Sequence, residues 1–196
     1  MKKLTSTGLL MGALLFGAVS CNQNSGAVDE VQTTNEEQAE GTANEDQMQR
    51  QSDFMTKAAS SNMLEIQAGQ LAQQKGQSQQ VKDYGQMMVT DHTSATDKLK
   101  TLAQQKNITL PDSMGQDHMS QYEELQGKSG QEFDQAYMDL MVSSHEESVN
   151  LFEDAANNME DPDVKSFASS TLPTLQQHLD RAKTIQENTN NSTARN

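Results

Sequence analysis

The sequence contains no tryptophan, few other aromatic residues and a single cysteine. Its 196 residues include five Phe and three Tyr, and 33% of them are hydrophobic. A chain this polar can bury one modest core but not two. The lone Cys21 has no second cysteine with which to form a disulfide within the chain. The composition therefore predicts one domain of ordinary size, flanked by extra segments.

Positive charge is scarce as well. There are 14 Lys and Arg residues against 28 Asp and Glu residues, which gives a formal net charge of −14 at pH 7. A surface of this charge repels nucleic acid and anionic lipid head groups, and no cluster of basic residues offsets it. These features exclude nucleic-acid binding and a polybasic membrane contact. The acidity is interpreted as a solvated, soluble surface.

The apolar run at residues 9–19 is too short to span a bilayer as a helix. Lys2 and Lys3 precede this run and small residues follow it, which is the pattern of a secretory signal peptide. We therefore predict a signal peptide over residues 1–20.

Residues 18–21, Ala-Val-Ser-Cys, resemble the lipobox of bacterial lipoproteins, with Ala18 at the position where leucine is commonest. In such proteins the chain is cut before the cysteine, whose thiol receives a diacylglycerol. The resemblance therefore implies lipidation of Cys21 and a periplasmic chain anchored to a membrane. By the same resemblance, Asn22 favours the outer over the inner membrane. The alternative is an ordinary secretory signal with Cys21 incidental.

The stretch after the cysteine is polar and acidic. Residues 22–50 contain no aromatic side chain and seven acidic ones. Such a segment buries too little apolar surface to offset the entropy lost on ordering. We expect residues 21–50 to form a lipidated cysteine followed by a disordered acidic linker.

From Ser52 onward, apolar residues recur every three or four positions and β-branched runs are absent, which indicates helices. We predict long helices at residues 52–75, 78–106, 131–157 and 161–188, with a short helix at 116–125. Short connections make the first and last pairs antiparallel. The expected fold is an all-α, up-down four-helix bundle over residues 51–188, with one longer connection between helices two and three. Residues 189–196 are expected to form a disordered tail.

Six short blocks along these helices match a known pattern. They are Leu-Glu-Ile at 64–66, Met-Val-Thr-Asp-His at 88–92, Leu-Pro at 110–111, Phe-Asp-Gln-Ala-Tyr at 133–137, His-Glu at 145–146 and Thr-Leu-Pro-Thr-Leu-Gln-Gln-His-Leu at 171–179. Together they resemble domain of unknown function 4142, a ferritin-like family of bacterial envelope proteins often labelled predicted outer membrane proteins. The resemblance covers residues 53–185. It implies a ferritin-like bundle outside the cytoplasm and supplies no established activity.

Four polar residues lie on inward-facing positions, one on each predicted long helix: Glu65, His92, His145 and His178. The helical rise of about 1.5 Å per residue places all four near mid-height. Metal sites in helix bundles are built from such inward side chains. The arrangement would suit one transition-metal ion such as Zn, Cu or Fe. The alternative is a metal-free polar core whose members hydrogen-bond to one another.

Other chemistry has less support in the sequence. The helices lack the Glu-x-x-His pairs of a standard di-iron site. Methionines at 87, 88, 138 and 141 would suit copper(I), but at helical spacing methionine more often fills a core. The fourth histidine, His118, falls in the long connection and is expected to be exposed.

No nucleophile with its base and no phosphate loop is evident, so nothing points to a hydrolase or transferase. The leading hypothesis from sequence is a non-enzymatic envelope lipoprotein whose bundle is a binding or stress-related module of unknown protein partner. The rival hypothesis is a metal-binding or redox protein that uses the mid-bundle residues.

Overall fold

The computed structural model describes residues 26–193, and this part of the chain is helical without strands. Within it, no helix combines the length and apolar character needed to cross a membrane. The predicted signal peptide, Cys21 and the first residues of the predicted linker lie outside the described residues. The helices are α1 (Ala27–Ala39), α2 (Glu45–Lys75), α3 (Gln79–Lys106), α4 (Gln116–Gln126), α5 (Gly130–Asn158) and α6 (Pro162–Thr193).

The four long helices pack as two pairs. Connections of three residues join α2 to α3 and α5 to α6, so the members of each pair run antiparallel and share their most extensive contacts. The pairs meet where α2 packs on α5 and α3 on α6. The shorter α1 lies against α2, and α4 lies against α2 and α5.

Two apolar clusters fill the space between the long helices. The first contains Phe54, whose ring meets that of Phe152 edge-on at 5.1 Å between centroids. The second contains Tyr84 and Phe133. On each long helix, the buried residues of one cluster are separated from those of the other by about two to three turns. A polar layer occupies that interval.

The prediction of an all-helical fold is confirmed, with six helices in the described range where four long ones and one short one were predicted. The predicted short helix at 116–125 is α4. On the long helices, the residues that recur every three or four positions are largely buried. Their alternating spacing of four and three residues keeps these side chains on one helix face.

The expectation of a disordered linker is wrong for residues 26–50, because α1 and the first turns of α2 lie there. Asn35 is buried, donates its amide to the carbonyl of Thr109 and accepts from the Thr109 amide. Ala39 is also buried, and Gln32 donates to Asp53. Composition does not predict these hydrogen bonds, because it reports how much apolar surface a segment can bury and not which polar contacts it makes.

The expected disordered tail is corrected in the same way for residues 189–193, which continue α6. The side chain of Gln186 donates to Asp139 of α5 at 2.7 Å, and that of Gln135 donates to Asn190. These cross-helix bonds extend the pairing of α5 and α6 past the last apolar contact. Residues 194–196 are outside the described part.

Candidate metal centre

The polar layer between the two apolar clusters contains all four residues of the predicted site. Glu65 comes from α2, His92 from α3, His145 from α5 and His178 from α6. Their exposed fractions are 0%, 2%, 0% and 4%. One inward residue per long helix at one level is the arrangement that the sequence spacing predicted.

The three histidine rings form a nearly equilateral triangle. Their centroids are 5.6 Å apart for His92 and His145 and 5.5 Å apart for both pairs with His178. One ring nitrogen from each lies within 4.8 Å of the nitrogens offered by the other two. Nitrogens that share a metal at about 2.0–2.1 Å are closer than this, so a small inward movement would complete a site.

Each ring has one nitrogen that is fixed by a hydrogen bond to an oxygen atom. We name this atom the outer nitrogen and the second, unbonded atom the inner nitrogen. His92 donates from Nδ1 to Oδ1 of Asn62 at 2.9 Å. His145 donates from Nδ1 to the carbonyl oxygen of Met141, one turn earlier in α5, at 2.8 Å. These bonds hold each ring in a defined orientation and place the proton on the outer nitrogen.

His178 is held in the equivalent way by a neighbouring helix. Its Nε2 donates to Oδ2 of Asp91 at 2.9 Å. The Asp91 side chain is 41% exposed, so it links the buried ring to solvent. The carbonyl oxygen of His178 also accepts a hydrogen bond from the buried Tyr84 hydroxyl at 3.1 Å, which ties this turn of α6 to α3.

The second nitrogen of each ring is buried and has no hydrogen-bond partner among the described residues. These atoms are Nε2 of His92, Nε2 of His145 and Nδ1 of His178. Because the proton of a neutral ring is on the bonded nitrogen, each of these atoms carries a lone pair. Three such lone pairs in one buried layer form the donor set that a transition metal requires.

Burial favours the neutral form of two of these rings. Desolvation is the main cause that lowers the pKa of His178 to about 4, and the neighbouring His92 and His145 lower it further, against the opposing effect of the hydrogen bond that the ring donates to Asp91. Desolvation likewise lowers the pKa of His145, although the carboxylate of Glu65 opposes the shift. Near neutral pH both rings are unprotonated, which is the form that binds a metal.

Glu65 lies beside the outer nitrogens and is not in the histidine cluster whose ligand atoms converge. Its Oε2 is 2.8 Å from Nδ1 of His92, and its Oε1 is 3.6 Å from Nδ1 of His145. Ser144 donates to Oε1 at 2.6 Å. Glu65 therefore contacts two of the rings without joining the converging cluster, and the prediction that it is a ligand stays a prediction.

The carboxylate of Glu65 is held in its charged form. Burial by itself would raise its pKa, but electrostatic interaction with the His92 and His145 rings, with hydrogen bonds from His92 and Ser144, together hold the pKa well below its usual range. A buried anion of this kind stabilises positive charge in the layer, whether on a ring or on a bound cation.

The sequence model of a family described as Domain of unknown function (DUF4142) matches residues 34–185. The chain belongs to this family. No curated protein and no solved structure matches the chain. The DUF4142 match begins within α1, inside the segment expected to be a linker, and includes all four residues of the polar layer.

Sequence reasoning missed the residues that orient the rings of this DUF4142 chain. Asn62 lies one turn before Glu65 on the same helix face, and this spacing was the available signal. Asp91 directly precedes His92 in the sequence, and helix periodicity alone turns adjacent side chains about 100° apart, which directs Asp91 away from the layer. Its bond to His178 depends on the packing of α3 against α6, which the spacing within one helix does not reveal.

His118 also departs from expectation, since it is half-buried and not solvent-exposed. Its Nδ1 lies 2.7 Å from the Ser60 hydroxyl, which also accepts a hydrogen bond from the Gly115 amide. The pair ties the start of α4 to α2. It is separate from the histidine triangle, so His118 serves as a natural control for the site.

Proposed function

We propose that this DUF4142 protein binds one transition-metal ion through His92, His145 and His178. The observation that carries the proposal is that the two nitrogens of each ring have different surroundings. The outer nitrogen is fixed by an amide, carbonyl or carboxylate oxygen, and the inner nitrogen is buried without a partner in the described part of the chain. Histidine ligands of metals are oriented in this way, by donating their second nitrogen to such an oxygen.

A metal-free polar core explains less of the layer. It accounts for the close approach of Glu65 to His92 and for the hydrogen bond from Ser144. Within residues 26–193 it leaves three imidazole nitrogens unpaired, although buried polar atoms normally have partners and each unpaired one costs free energy. A metal-handling or redox protein therefore fits the geometry better than the metal-free binding or stress-related module favoured by sequence alone.

Three imidazole ligands suit zinc, copper, iron or nickel rather than magnesium or calcium. The methionines at 87, 88, 138 and 141 belong to the second apolar cluster or pack against it. Their packing supports a role as core residues. Thioether binding of copper(I) is therefore not part of the proposal.

We further propose that α2, α3, α5 and α6 form a ferritin-like, up-down four-helix bundle. Antiparallel pairing across short connections and the longer link that contains α4 support this topology. The lipobox-like residues 18–21 support a periplasmic location with a lipid anchor at Cys21, in the outer rather than the inner membrane.

Replacing Cys21 with serine is expected to move the protein from the membrane fraction to the soluble fraction. The reason is that the serine hydroxyl does not receive the diacylglycerol that would hold the chain in the bilayer. Fractionation of cells after a high-salt wash measures the effect. A variant that still sediments with membranes would contradict the lipid anchor and leave the metal proposal untouched.

Metal analysis tests the proposed function at the lowest cost. The protein is purified from the cell envelope without chelator, and its metals are quantified by elemental analysis. We expect about one transition-metal ion per chain, as for a mononuclear site. A protein that contains no transition metal and also takes up none of zinc, copper, iron or nickel during dialysis would refute the proposal.

Truncating Asp91 to alanine is expected to weaken metal affinity by about 10- to 100-fold, because His178 loses the carboxylate that orients it. Competition with a chromophoric chelator measures the affinity. Asp97→Ala is the matched control, since Asp97 is an exposed acidic residue on the same helix. Equal affinities for the two variants would show that Asp91 does not act through His178.

A further inference from the structure

A small cavity lies against the histidine triangle and is lined by residues of all four long helices. Its walls include His92 and His178, and its outer part is formed by the partly exposed Asp91 and Ala95 and by the exposed Thr174. The cavity therefore leads from two of the three rings toward solvent. The ring of His145 does not line it.

The size of this cavity limits what it can hold. Its volume is about 20 Å³. A cavity needs about 10–15 Å³ to hold one water molecule. One solvent molecule fits, and a side chain or an organic ligand of several heavy atoms does not.

The described residues supply no fourth ligand atom that converges with the three histidine nitrogens. The cluster of converging donor atoms contains three histidines and no carboxylate among the described residues. Glu65 is not in that cluster: its Oε1 accepts a hydrogen bond from Ser144, and its Oε2 lies 2.8 Å from Nδ1 of His92 without a hydrogen-bond partner among the described residues. Metal sites with three protein ligands keep their fourth position for water or substrate, whereas structural sites are closed by four protein ligands.

Building on the proposed function, we propose that the bound metal keeps one open coordination position that faces this cavity. The position takes water, hydroxide or the donor end of a narrow linear ion whose remaining atoms extend through the cavity toward solvent, and these ligands enter between Ala95 of α3 and Thr174 of α6. The site thereby belongs to the reactive, open class of metal centres, and its exogenous ligands are selected by size.

Cobalt(II) is the probe, because its visible absorption reports the ligands of the metal. The experiment uses the full chain with Cys21→Ser, which removes the only thiol. Cobalt alone should produce a visible band that disappears in His145→Ala. Without that band the proposed function fails, and this outcome is separate from the tests of the open position.

Sodium azide and imidazole are then added to the cobalt form. We expect azide to shift the band and imidazole at the same concentration to leave it unchanged, because imidazole exceeds the cavity. A cobalt band that azide does not alter would overturn the open position while leaving metal binding intact. An equal response to imidazole would overturn the selection by size.

Ala95→Leu tests the route. The larger side chain should close the cavity and weaken azide binding by at least about tenfold through steric exclusion, with the cobalt band retained. Ala156→Leu on α5 is the matched control, because Ala156 is also partly buried but does not line the cavity. Unchanged azide affinity in a folded Ala95→Leu protein would contradict entry at this point.

Discussion

Replacing His145 with alanine is expected to lower metal affinity by more than about 100-fold, because residues that only orient ligands already contribute 10- to 100-fold. His145 is fully buried, and its inner nitrogen has no other partner among the described residues. Removing the ring leaves two histidine ligands, since the converging cluster among the described residues consists of three histidines. Isothermal titration with zinc, or competition with a chelator, measures the loss.

The thermal stability of the same variant separates a lost ligand from a damaged fold. A metal that binds only the native state, at 100 times its dissociation constant, stabilises it by about 2.7 kcal/mol. For a domain of this size, that corresponds to an increase in melting temperature of about 5–10 °C. We expect this increase in the wild type and its absence in His145→Ala.

His118→Ala provides the control, since it also removes a partly buried histidine but lies outside the triangle. Its stability should fall modestly through the lost contact with Ser60, and its response to metal should match that of the wild type. If zinc stabilised His145→Ala and the wild type equally, the metal would be bound elsewhere, for example on the acidic surface.

Gly85→Ala is expected to destabilise the fold by about 2–3 kcal/mol through overpacking at a backbone contact. A Cβ atom at this position would lie 2.7 Å from the carbonyl oxygen of Gly69 and 2.8 Å from Cβ of Ala72. Gly69 is in the same situation, with the Gly85 carbonyl oxygen at 2.7 Å from its Cβ. The two glycines allow α2 and α3 to approach closely, and neither helix backbone can move aside locally.

Gly85→Ala should also change the geometry of the polar layer. Gly69 lies one turn after Glu65 on α2, and Gly85 lies two turns before His92 on α3. Forcing the helices apart here would lengthen the 2.8 Å contact between Glu65 and His92 and weaken metal affinity as well as stability. Chemical denaturation and zinc titration of the variant measure both effects.

Gly127→Ala is the matched control for this prediction. Gly127 ends α4 with φ of −71°, and a Cβ there would meet the Glu124 carbonyl oxygen at 3.4 Å, an ordinary contact. Its stability should change little. If Gly85→Ala were as stable as this control, the close approach of α2 and α3 would not be a requirement of the fold.

The sequence was sufficient for the long helices and for the level of the site, because both depend on one periodicity. A residue repeat of four and three keeps one face inward, and His92 and His178 sit on that repeat among apolar side chains. The constant rise per residue then sets their height. The triangle of rings follows from these two regularities and from antiparallel packing.

The contacts that orient the rings could not be predicted in this way. Asp91 reaches His178 only because α3 and α6 pack side by side, and Glu65 turns toward outer nitrogens because Ser144 of α5 holds it. Both depend on rotamers and on neighbours distant in the sequence. The sequence did not predict α1 for a related reason. This helix is held by paired hydrogen bonds between Asn35 and Thr109 and not by a row of apolar residues.

Anomalous diffraction from crystals of the protein grown with zinc is the direct test of metal binding by His92, His145 and His178. We expect one anomalous difference peak at the zinc edge inside the polar layer, about 2.0–2.1 Å from Nε2 of His92, Nε2 of His145 and Nδ1 of His178. We further expect that Asp91 remains bonded to Nε2 of His178. A zinc-bound crystal whose peaks all lie on the acidic surface, with the three rings hydrogen-bonded to one another or to water, would contradict the account.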